Sequence, residues 1–436
     1  MTEPAPENRP APDSATLARE AELSERAILY AIGLMLFYQG FAISIVGIAS
    51  PWIQTSFNLD STGIARMFAW ISVSSIGALV LSRMIDRFGR RRMILWCLGL
   101  IPICSVGAAV ATNLAVFIAF QIGLCACVVA AGSGCIVMLS EELSIERRAR
   151  GQGVGGLAGA LGMGLCVMLM PVLEGFGLSW RWLLVISSLG IVLLPTFARL
   201  LPESTRWERS TLAGITARSR FYDVFQPLYR KRSITLIVCQ LAAAIATTAA
   251  GSFAYYHAVS VAGLTAGTAS LMTVLGGGLG LVGFPLGAWT SERFGRVPTV
   301  VGFGIAITVG HLWFFWGPPH NFSMPQWWLA IGFCLFSGCD NAGGVASSTA
   351  ATELFPTALR GTMFGWFALV GAIGAVISNV AVALLANAMG GVSIVTGALS
   401  IVGIPAAILF GLMIDETRGM ALEAAAQEEE FDASAR

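Results

Sequence analysis

Twelve long apolar stretches limit what this chain can fold into more than any other feature does. A helix that crosses a bilayer needs about 20 mostly apolar residues at 1.5 Å per residue. The stretches cover approximately residues 27–50, 62–82, 93–112, 114–140, 151–174, 180–200, 233–257, 266–290, 298–317, 327–352, 362–388 and 392–414. Only 12% of the residues are charged, whereas soluble domains carry about 25%. We therefore predict an all-α membrane protein with twelve transmembrane helices.

A short charged motif occurs twice, at the same place in each half of the chain. Asp86-Arg87-Phe88-Gly89-Arg90 follows the second stretch, and Glu292-Arg293-Phe294-Gly295-Arg296 follows the eighth. A second charged segment follows the fourth and tenth stretches, from Glu142 to Arg150 and from Glu353 to Arg360. The repeat predicts two six-helix bundles related by an axis along the membrane normal. The predicted divisions are a disordered tail over 1–25, bundles over 26–201 and 233–415, a linker over 202–232 and a second tail over 416–436.

The basic residues predict how the chain is oriented in the membrane. There are 26 Lys and Arg residues, and with these spans only Arg66 and Arg181 fall on the outer side. Cytoplasmic loops carry the excess of basic residues in membrane proteins. We therefore expect an integral protein of the cytoplasmic (inner) membrane with the linker and both tails in the cytoplasm. The first 25 residues lack the apolar core of a signal peptide.

The charged segments also carry a family resemblance. The first motif, with Arg91 and Arg92 after it, resembles the loop 2–3 signature of the major facilitator superfamily. The segment from Glu353 to Arg360 resembles loop 10–11 of its sugar porters and related organic-acid carriers. Glu203 to Arg206 and Glu416 to Arg418 resemble the sugar-porter loops after helices 6 and 12. The resemblance covers essentially the whole chain and is specific to the sugar-porter-like and organic-acid:proton symporter branch, but it does not identify the substrate.

The resemblance implies a cytoplasmic network of ion pairs that holds the inner ends of the bundles together. Asp86 and Arg90 would make this contact in the first bundle, with Glu292 and Arg296 as their counterparts in the second. The predicted network residues are Asp86, Arg87, Gly89, Arg90, Glu142, Arg150, Glu203, Arg206, Glu292, Arg293, Arg296, Glu353, Arg360, Glu416 and Arg418. A simpler interpretation treats the arginines as topology signals alone, but the duplicated spacing favours the network.

Asp340 is the main candidate for chemistry inside the membrane. It precedes Glu353 by about 20 Å of helix, which puts it near the bilayer midplane. Ionisable groups at that depth are costly and mark functional sites by default. Asp340, with Asn341 beside it, is therefore predicted to lie on the substrate path and to take up a proton or pair with a cationic substrate. The alternative is a structural carboxylate held by Asn341 or a hydroxyl.

Tyr38, Gln39 and Gln121 are further candidates for the substrate path. The first two lie in a segment that resembles the Asp-Gly-Phe-Asp sequence of aromatic-acid:proton symporters, with both acids replaced. The fourth stretch lacks the arginine often found there, and Gln121 lies in that part of it. Without the usual acid–arginine pair, proton coupling is either absent or assigned to Asp340. The two glutamines can bond a substrate or simply join helices.

Three aromatic residues complete the predicted path. Tyr255 and Tyr256 resemble the tyrosine pair at the outer gate of sugar porters, although Gln240 lies too far away to match the glutamines expected upstream. Trp366 either lines the cavity or faces lipid. His311 is expected to be structural, because the ninth span is peripheral in the resembled family.

Together these features predict a secondary transporter that moves a small organic metabolite by alternating access. An organic acid is preferred to a sugar, and proton symport to export. The open alternatives are a proton-coupled exporter of drugs or metabolites and a membrane sensor with a transporter fold. The sequence has no metal-ligand cluster, nucleophile–base pair or phosphate loop, so no enzyme, cofactor or metal site is expected. The expected partners are the substrate, protons and lipid, with no nucleic acid, and the protein is expected to be a monomer.

Overall fold

The computed structural model describes residues 14–142, 145–201, 222–317 and 325–420. Within these ranges the regular structure is helical and contains no strand. Twelve helices are long and apolar enough to cross a membrane, which confirms the predicted fold class. We number these α1 to α12 in chain order, and several of them are interrupted by a turn or a short non-α segment.

Each helix of the first bundle overlaps its predicted span, and several extend beyond it. They are α1 (Ser14–Ser56), α2 (Ser61–Ser72 and Ser74–Phe88), α3 (Arg90–Ala109), α4 (Leu114–Glu142), α5 (Ile145–Gly175) and α6 (Arg181–Ser188, the 3₁₀ turns Leu189–Leu193, and Leu194–Leu200). The first helix begins at Ser14, although a disordered tail is predicted up to residue 25. The candidate membrane span within α1 is Arg26–Ser56, so the helix begins before the segment that hydropathy identifies.

The second bundle repeats this arrangement. Its helices are α7 (Arg230–Tyr256, continued by the π-helical turn His257–Val261), α8 (Ala266–Gly280 and Gly283–Phe294), α9 (Arg296–Phe315), α10 (Pro325–Glu353), α11 (Thr357–Met389) and α12 (Val392–Ser400 and Gly403–Met413). A short 3₁₀ turn, Asp223–Phe225, precedes α7.

Equivalent helices pack together in the two bundles. In the first bundle α1 packs on α5, and both α2 and α3 pack on α4. In the second bundle α7 packs on α11, and both α8 and α9 pack on α10. Glycine permits the closest of these contacts. A Cβ atom at Gly162 of α5 would lie 1.9 Å from the carbonyl oxygen of Phe37 on α1, and one at Gly283 of α8 would lie 2.0 Å from that of Gly338 on α10. Small residues allow such backbone approach in membranes, where packing replaces the hydrophobic effect.

The repeated charged motif forms the same tight turn in both bundles. Gly89 joins α2 to α3 with φ 100°, and Gly295 joins α8 to α9 with φ 108°. Glycine tolerates these positive φ angles because it has no Cβ. We call the face that carries these two turns the proximal face; the opposite, distal face carries the turns at Gly177, Gly263 and Gly390.

The two bundles meet in their distal halves. The Asn379 amide nitrogen of α11 donates a 2.7 Å hydrogen bond to the Ser72 hydroxyl of α2. The Ser270 hydroxyl of α8 donates a 2.8 Å bond to the Val167 carbonyl oxygen of α5. The Phe68 ring of α2 also packs edge-on against that of Phe253 on α7, with centroids 4.9 Å apart. These contacts close the molecule at the distal face.

Candidate substrate cavity and charge network

A cavity of about 700 Å³ lies in the proximal half of the second bundle. Its walls come from α7, α9, α10, α11 and α12. The volume falls within the range of small-molecule sites, about 300–1,000 Å³. Seven polar residues line the cavity. They are Gln240, Thr247 and Thr248 from α7, Asp340, Ser347 and Ser348 from α10, and Thr308 from α9.

Asp340 is the acidic residue of this cavity wall. Its side chain is exposed to the cavity although it lies midway along a membrane-spanning helix. No hydrogen bond or ion pair joins it to another side chain in the part of the chain that the structure describes. Among the described residues that line the cavity there is no lysine or arginine. The site therefore presents one carboxylate, an amide and several hydroxyls to a bound molecule.

Asn341 faces another helix. Its side-chain nitrogen donates a 3.0 Å hydrogen bond to the Gly280 carbonyl oxygen, which joins α10 to α8. The neighbouring residues therefore point in different directions, with Asp340 towards the cavity and Asn341 towards the bundle interior.

The three candidates of the first bundle are buried away from the cavity. Tyr38 lies against Gly190 of α6, where an added Cβ would come within 2.3 Å of its ring. Gln39 lies near Gly132 of α4. The Gln39 amide nitrogen and both polar atoms of Gln121 are buried with no hydrogen-bond partner among the described residues. The structure does not bring these residues together with Asp340.

The tyrosine pair lies at the distal closure. The Tyr255 hydroxyl is 2.9 Å from the Ser270 hydroxyl, and the Tyr255 ring centroid is 6.3 Å from that of Trp52 on α1. Tyr256 is also buried, with its ring centroid 6.4 Å from that of Phe253. The pair therefore lies where the bundles meet.

Trp366 lies outside the cavity wall. Its ring packs on Phe225, with centroids 5.1 Å apart, and on Tyr222, so it contacts the segment that precedes α7. Phe364 and Phe367 of the same helix line the cavity. His311 is buried against Phe336, with ring centroids 4.7 Å apart, and is likewise not part of the cavity wall.

A charge network holds the proximal ends of three second-bundle segments together. Arg296 and Glu353 form a bidentate ion pair with nitrogen–oxygen distances of 2.8 and 3.1 Å. The Thr417 hydroxyl also hydrogen-bonds the Glu353 carboxylate. These contacts link the start of α9, the end of α10 and the segment after α12.

Glu416 completes this network through backbone contacts. Its carboxylate accepts hydrogen bonds from the backbone N–H groups of Arg296, Val297 and Arg418 at 2.9–3.0 Å. Burial acts to raise its pKa, but these backbone hydrogen bonds outweigh it and lower the pKa overall. A carboxylate in this position is therefore kept ionised.

The remaining predicted network residues are not drawn into this cluster by the described contacts. Glu292 is exposed, Arg293 lies over the rings of Trp289 and Phe294, and Arg360 donates to the Phe355 carbonyl oxygen at 2.9 Å. In the first bundle Arg87 lies over the Phe88 ring and Arg90 is partly buried. The side chains of Asp86, Glu142 and Arg150, together with residues Glu203 and Arg206, lie outside the described part of the chain.

Three residues that line the cavity, Ser347, Ser348 and Gln240, are not among the residues predicted from the sequence. Ser347 and Ser348 follow Asp340 by seven and eight positions, which is the spacing of one helix face, so the helical period could have identified them. Gln240 was set aside because it does not match the spacing to the tyrosine pair, yet it lines the cavity.

Comparisons with known proteins agree with this architecture. The family model described as Major Facilitator Superfamily matches residues 32–379. The chain is 25% identical to the gentisate transporter of Corynebacterium glutamicum over 79% of this chain and 77% of the relative. It is 23% identical to the gallate transporter of Pseudomonas putida over 81% and 83% of the two chains. The inward-open xylose transporter XylE of E. coli matches 93% of this chain and 99% of its own, with a TM-score of 0.70 and 17% identity.

Proposed function

Because this chain belongs to the Major Facilitator Superfamily and is therefore a transporter, we propose that it moves a small organic acid across the membrane together with protons, by alternating access. The names of two relatives support this substrate class, since gentisate and gallate are both hydroxylated aromatic acids. The cavity in the second bundle is the proposed binding site.

The observation that carries the proposal is Asp340, an acid in a cavity wall without a basic residue. Two like charges 4 Å apart repel by about 4 kcal/mol at an effective dielectric constant of 20. That energy corresponds to about a thousandfold loss of affinity. An organic anion would therefore bind well only after Asp340 takes up a proton. Proton and anion would then cross together, without a second acid–base pair in the first bundle.

The distal closure and the proximal cavity support one step of the transport cycle. With the bundles joined near Ser72 and Asn379, the substrate would enter or leave on the proximal side. Rocking of the bundles would then break the distal contacts and expose the site to the other face. The ion pair between Arg296 and Glu353 lies within one bundle, so it would keep that bundle rigid during the motion.

The arginines support an assignment of the proximal face to the cytoplasm. Arg66 and Arg181 lie at distal ends of helices, whereas the other basic residues of the described ranges lie towards the proximal face. By the positive-inside rule, the described ends of the chain would lie in the cytoplasm.

Uptake by purified protein in proteoliposomes would test this function. We expect radiolabelled gentisate to accumulate when a pH gradient is imposed and to equilibrate slowly without one. In Asp340→Asn the side chain keeps its shape but cannot ionise, so gradient-driven accumulation should be lost while exchange of gentisate across the membrane continues. Wild-type uptake that ignores the gradient, together with unchanged behaviour of Asp340→Asn, would refute the coupling.

A further inference from the structure

The cavity has a polar side and an apolar side that belong to different helices. Six of its seven polar residues come from α7 and α10, as described above. The parts of α9, α11 and α12 that line it are apolar except for Thr308, whose hydroxyl is already bonded to the Ser400 carbonyl oxygen at 3.1 Å. The cavity is therefore suited to a molecule with polar groups at its edge and an apolar body.

The polar face of α10 contains a gap. Asp340, Gly344, Ser347 and Ser348 all line the cavity, and their spacing puts them on one side of the helix. Asp340 and Ser347 are separated by about 10 Å along the helix axis. Gly344 lies between them, and an added Cβ there would meet no atom within 4 Å. The open space beside Gly344, which we call the gap, therefore lies between the Asp340 carboxylate and the hydroxyls of Ser347 and Ser348.

Another part of the cavity wall is made of small and aromatic side chains. Gly371 of α11 and Gly304 of α9 line it, together with Phe367 and Phe410. An added Cβ at Gly371 would meet only the Gln240 amide nitrogen, at 3.7 Å. Flat rings pack favourably against aromatic faces, whereas a sugar would leave its ring hydroxyls unpaired on this apolar wall.

We infer that Gly344 determines which substrates this transporter accepts, because it opens the space where the ring of a hydroxylated aromatic acid lies. The acid group of the substrate would face protonated Asp340 and Gln240. Its ring hydroxyls would donate to the oxygens of Ser347 and Ser348, whose own hydroxyls donate to the Gly344 carbonyl oxygen at 3.2 and 2.7 Å. Gly344 is a specificity residue in this arrangement, since it makes room and donates no contact of its own. The inference rests on the proposed function and adds the ring and its position.

Graded filling of the gap would test the inference. We would measure the KM for gentisate in proteoliposomes for wild type, Gly344→Ala and Gly344→Val. One methylene group in a fitted pocket changes specificity by about tenfold or more, so we expect KM to rise about tenfold for Ala and about a hundredfold for Val. The matched control is Gly302→Val on α9, where an added Cβ also meets no atom, the position is exposed and the residue does not line the cavity. This control should stay within about twofold of wild type.

A second measurement uses the unsubstituted protein, so it remains valid if Gly344→Val does not fold. Cys239 lines the cavity, whereas Cys334 of α10 is also half-buried but does not. Gentisate should slow the reaction of a small methanethiosulfonate reagent with Cys239 and leave Cys334 unaffected, as read by peptide mass spectrometry.

The outcomes separate the two proposals. If folded Gly344→Val takes up gentisate with an unchanged KM, the role of Gly344 and the ring position are wrong. The same holds if gentisate does not protect Cys239 while uptake is active. In both cases the transport function stands. If a pH gradient drives no uptake of gentisate, gallate or a non-aromatic acid by the wild type, both the proposed function and the ring assignment are wrong. A stepwise rise in KM from wild type to Gly344→Ala to Gly344→Val, with an unchanged KM in Gly302→Val, would support both proposals.

Discussion

Glu416 shows how a single carboxylate can link segments that are distant in the chain. It accepts backbone hydrogen bonds from Arg296, Val297 and Arg418, and its pKa is lowered in the folded protein. A group with a lowered folded-state pKa stabilises the fold above its ordinary pKa of about 4.3, and this stabilisation is lost as the pH falls through the folded-state value.

We therefore expect Glu416→Gln to lower stability at pH 7 by about 1 kcal/mol. This is less than a charged hydrogen bond usually contributes, because the side chain is exposed to solvent. Melting temperatures in detergent should differ between variant and wild type at pH 7, and the difference should shrink as the pH falls below the ordinary glutamate pKa of about 4.3. The neighbouring Asp415→Asn is the control, since the Asp415 carboxylate is 84% exposed and makes only a 3.9 Å contact with Arg232. A difference between Glu416→Gln and wild type that persists at low pH would contradict the assigned role of the charge.

At this scale a charged residue within an apolar stretch is easier to identify from the sequence than a neutral polar residue. Asp340 was identified because an ionisable group in an apolar stretch is conspicuous, and the structure places it in the cavity wall. Gln39 and Gln121 are just as polar, but whether they face a cavity depends on helix rotation, which weakly amphipathic spans do not specify. Gln240 was not predicted for a different reason, since its spacing from the tyrosine pair differs from the expected one.

At the scale of helices, the contact between α1 and α5 depends on the absence of side chains. A Cβ at Gly162 would lie 1.9 Å from a backbone oxygen of α1, and backbone cannot move aside as a flexible side chain can. Gly162→Val should destabilise the protein by about 3 kcal/mol, the upper end for overpacked sites. The lower melting temperature should accompany reduced transport.

Gly156→Val on the same helix is the matched control, because that position is exposed and an added Cβ meets no atom within 4 Å. Equal melting temperatures for the two variants would contradict close packing of α1 on α5 at Gly162.

The helices themselves could be predicted almost completely from hydropathy, because a bilayer requires about 20 apolar residues per span. The interruptions could not. The break in α8 between Gly280 and Gly283 and the π-helical turn at His257–Val261 depend on packing against other helices. Neither changes the length or the apolar character of its span.

At the scale of the whole molecule, a few contacts close the distal face. The hydrogen bond between Asn379 and Ser72 joins the bundles, and its buried setting makes the loss of one partner costly, about 1–3 kcal/mol. Asn379→Ala should therefore favour the state that is open at the distal face. A loss of about 1.4 kcal/mol would raise the ratio of open to closed molecules about tenfold.

Spin labels at Phe176→Cys and Met389→Cys, in a background without the native cysteines, would report the distance between the distal ends of the bundles. We expect a longer distance to gain population in Asn379→Ala. Ser378→Ala is the control, since the Ser378 hydroxyl bonds to Ile245 and Ala249 of its own bundle. An unchanged distance distribution in Asn379→Ala would mean that this hydrogen bond does not hold the bundles together.

The glycine and alanine wall of the cavity also constrains how this protein can evolve. Nearly any single amino-acid replacement at a glycine adds atoms, so mutation at Gly304, Gly344 or Gly371 can shrink the available volume far more easily than enlarge it. Variants that accept only smaller substrates would therefore arise readily, whereas a variant that accepts larger substrates would require the helices to move apart.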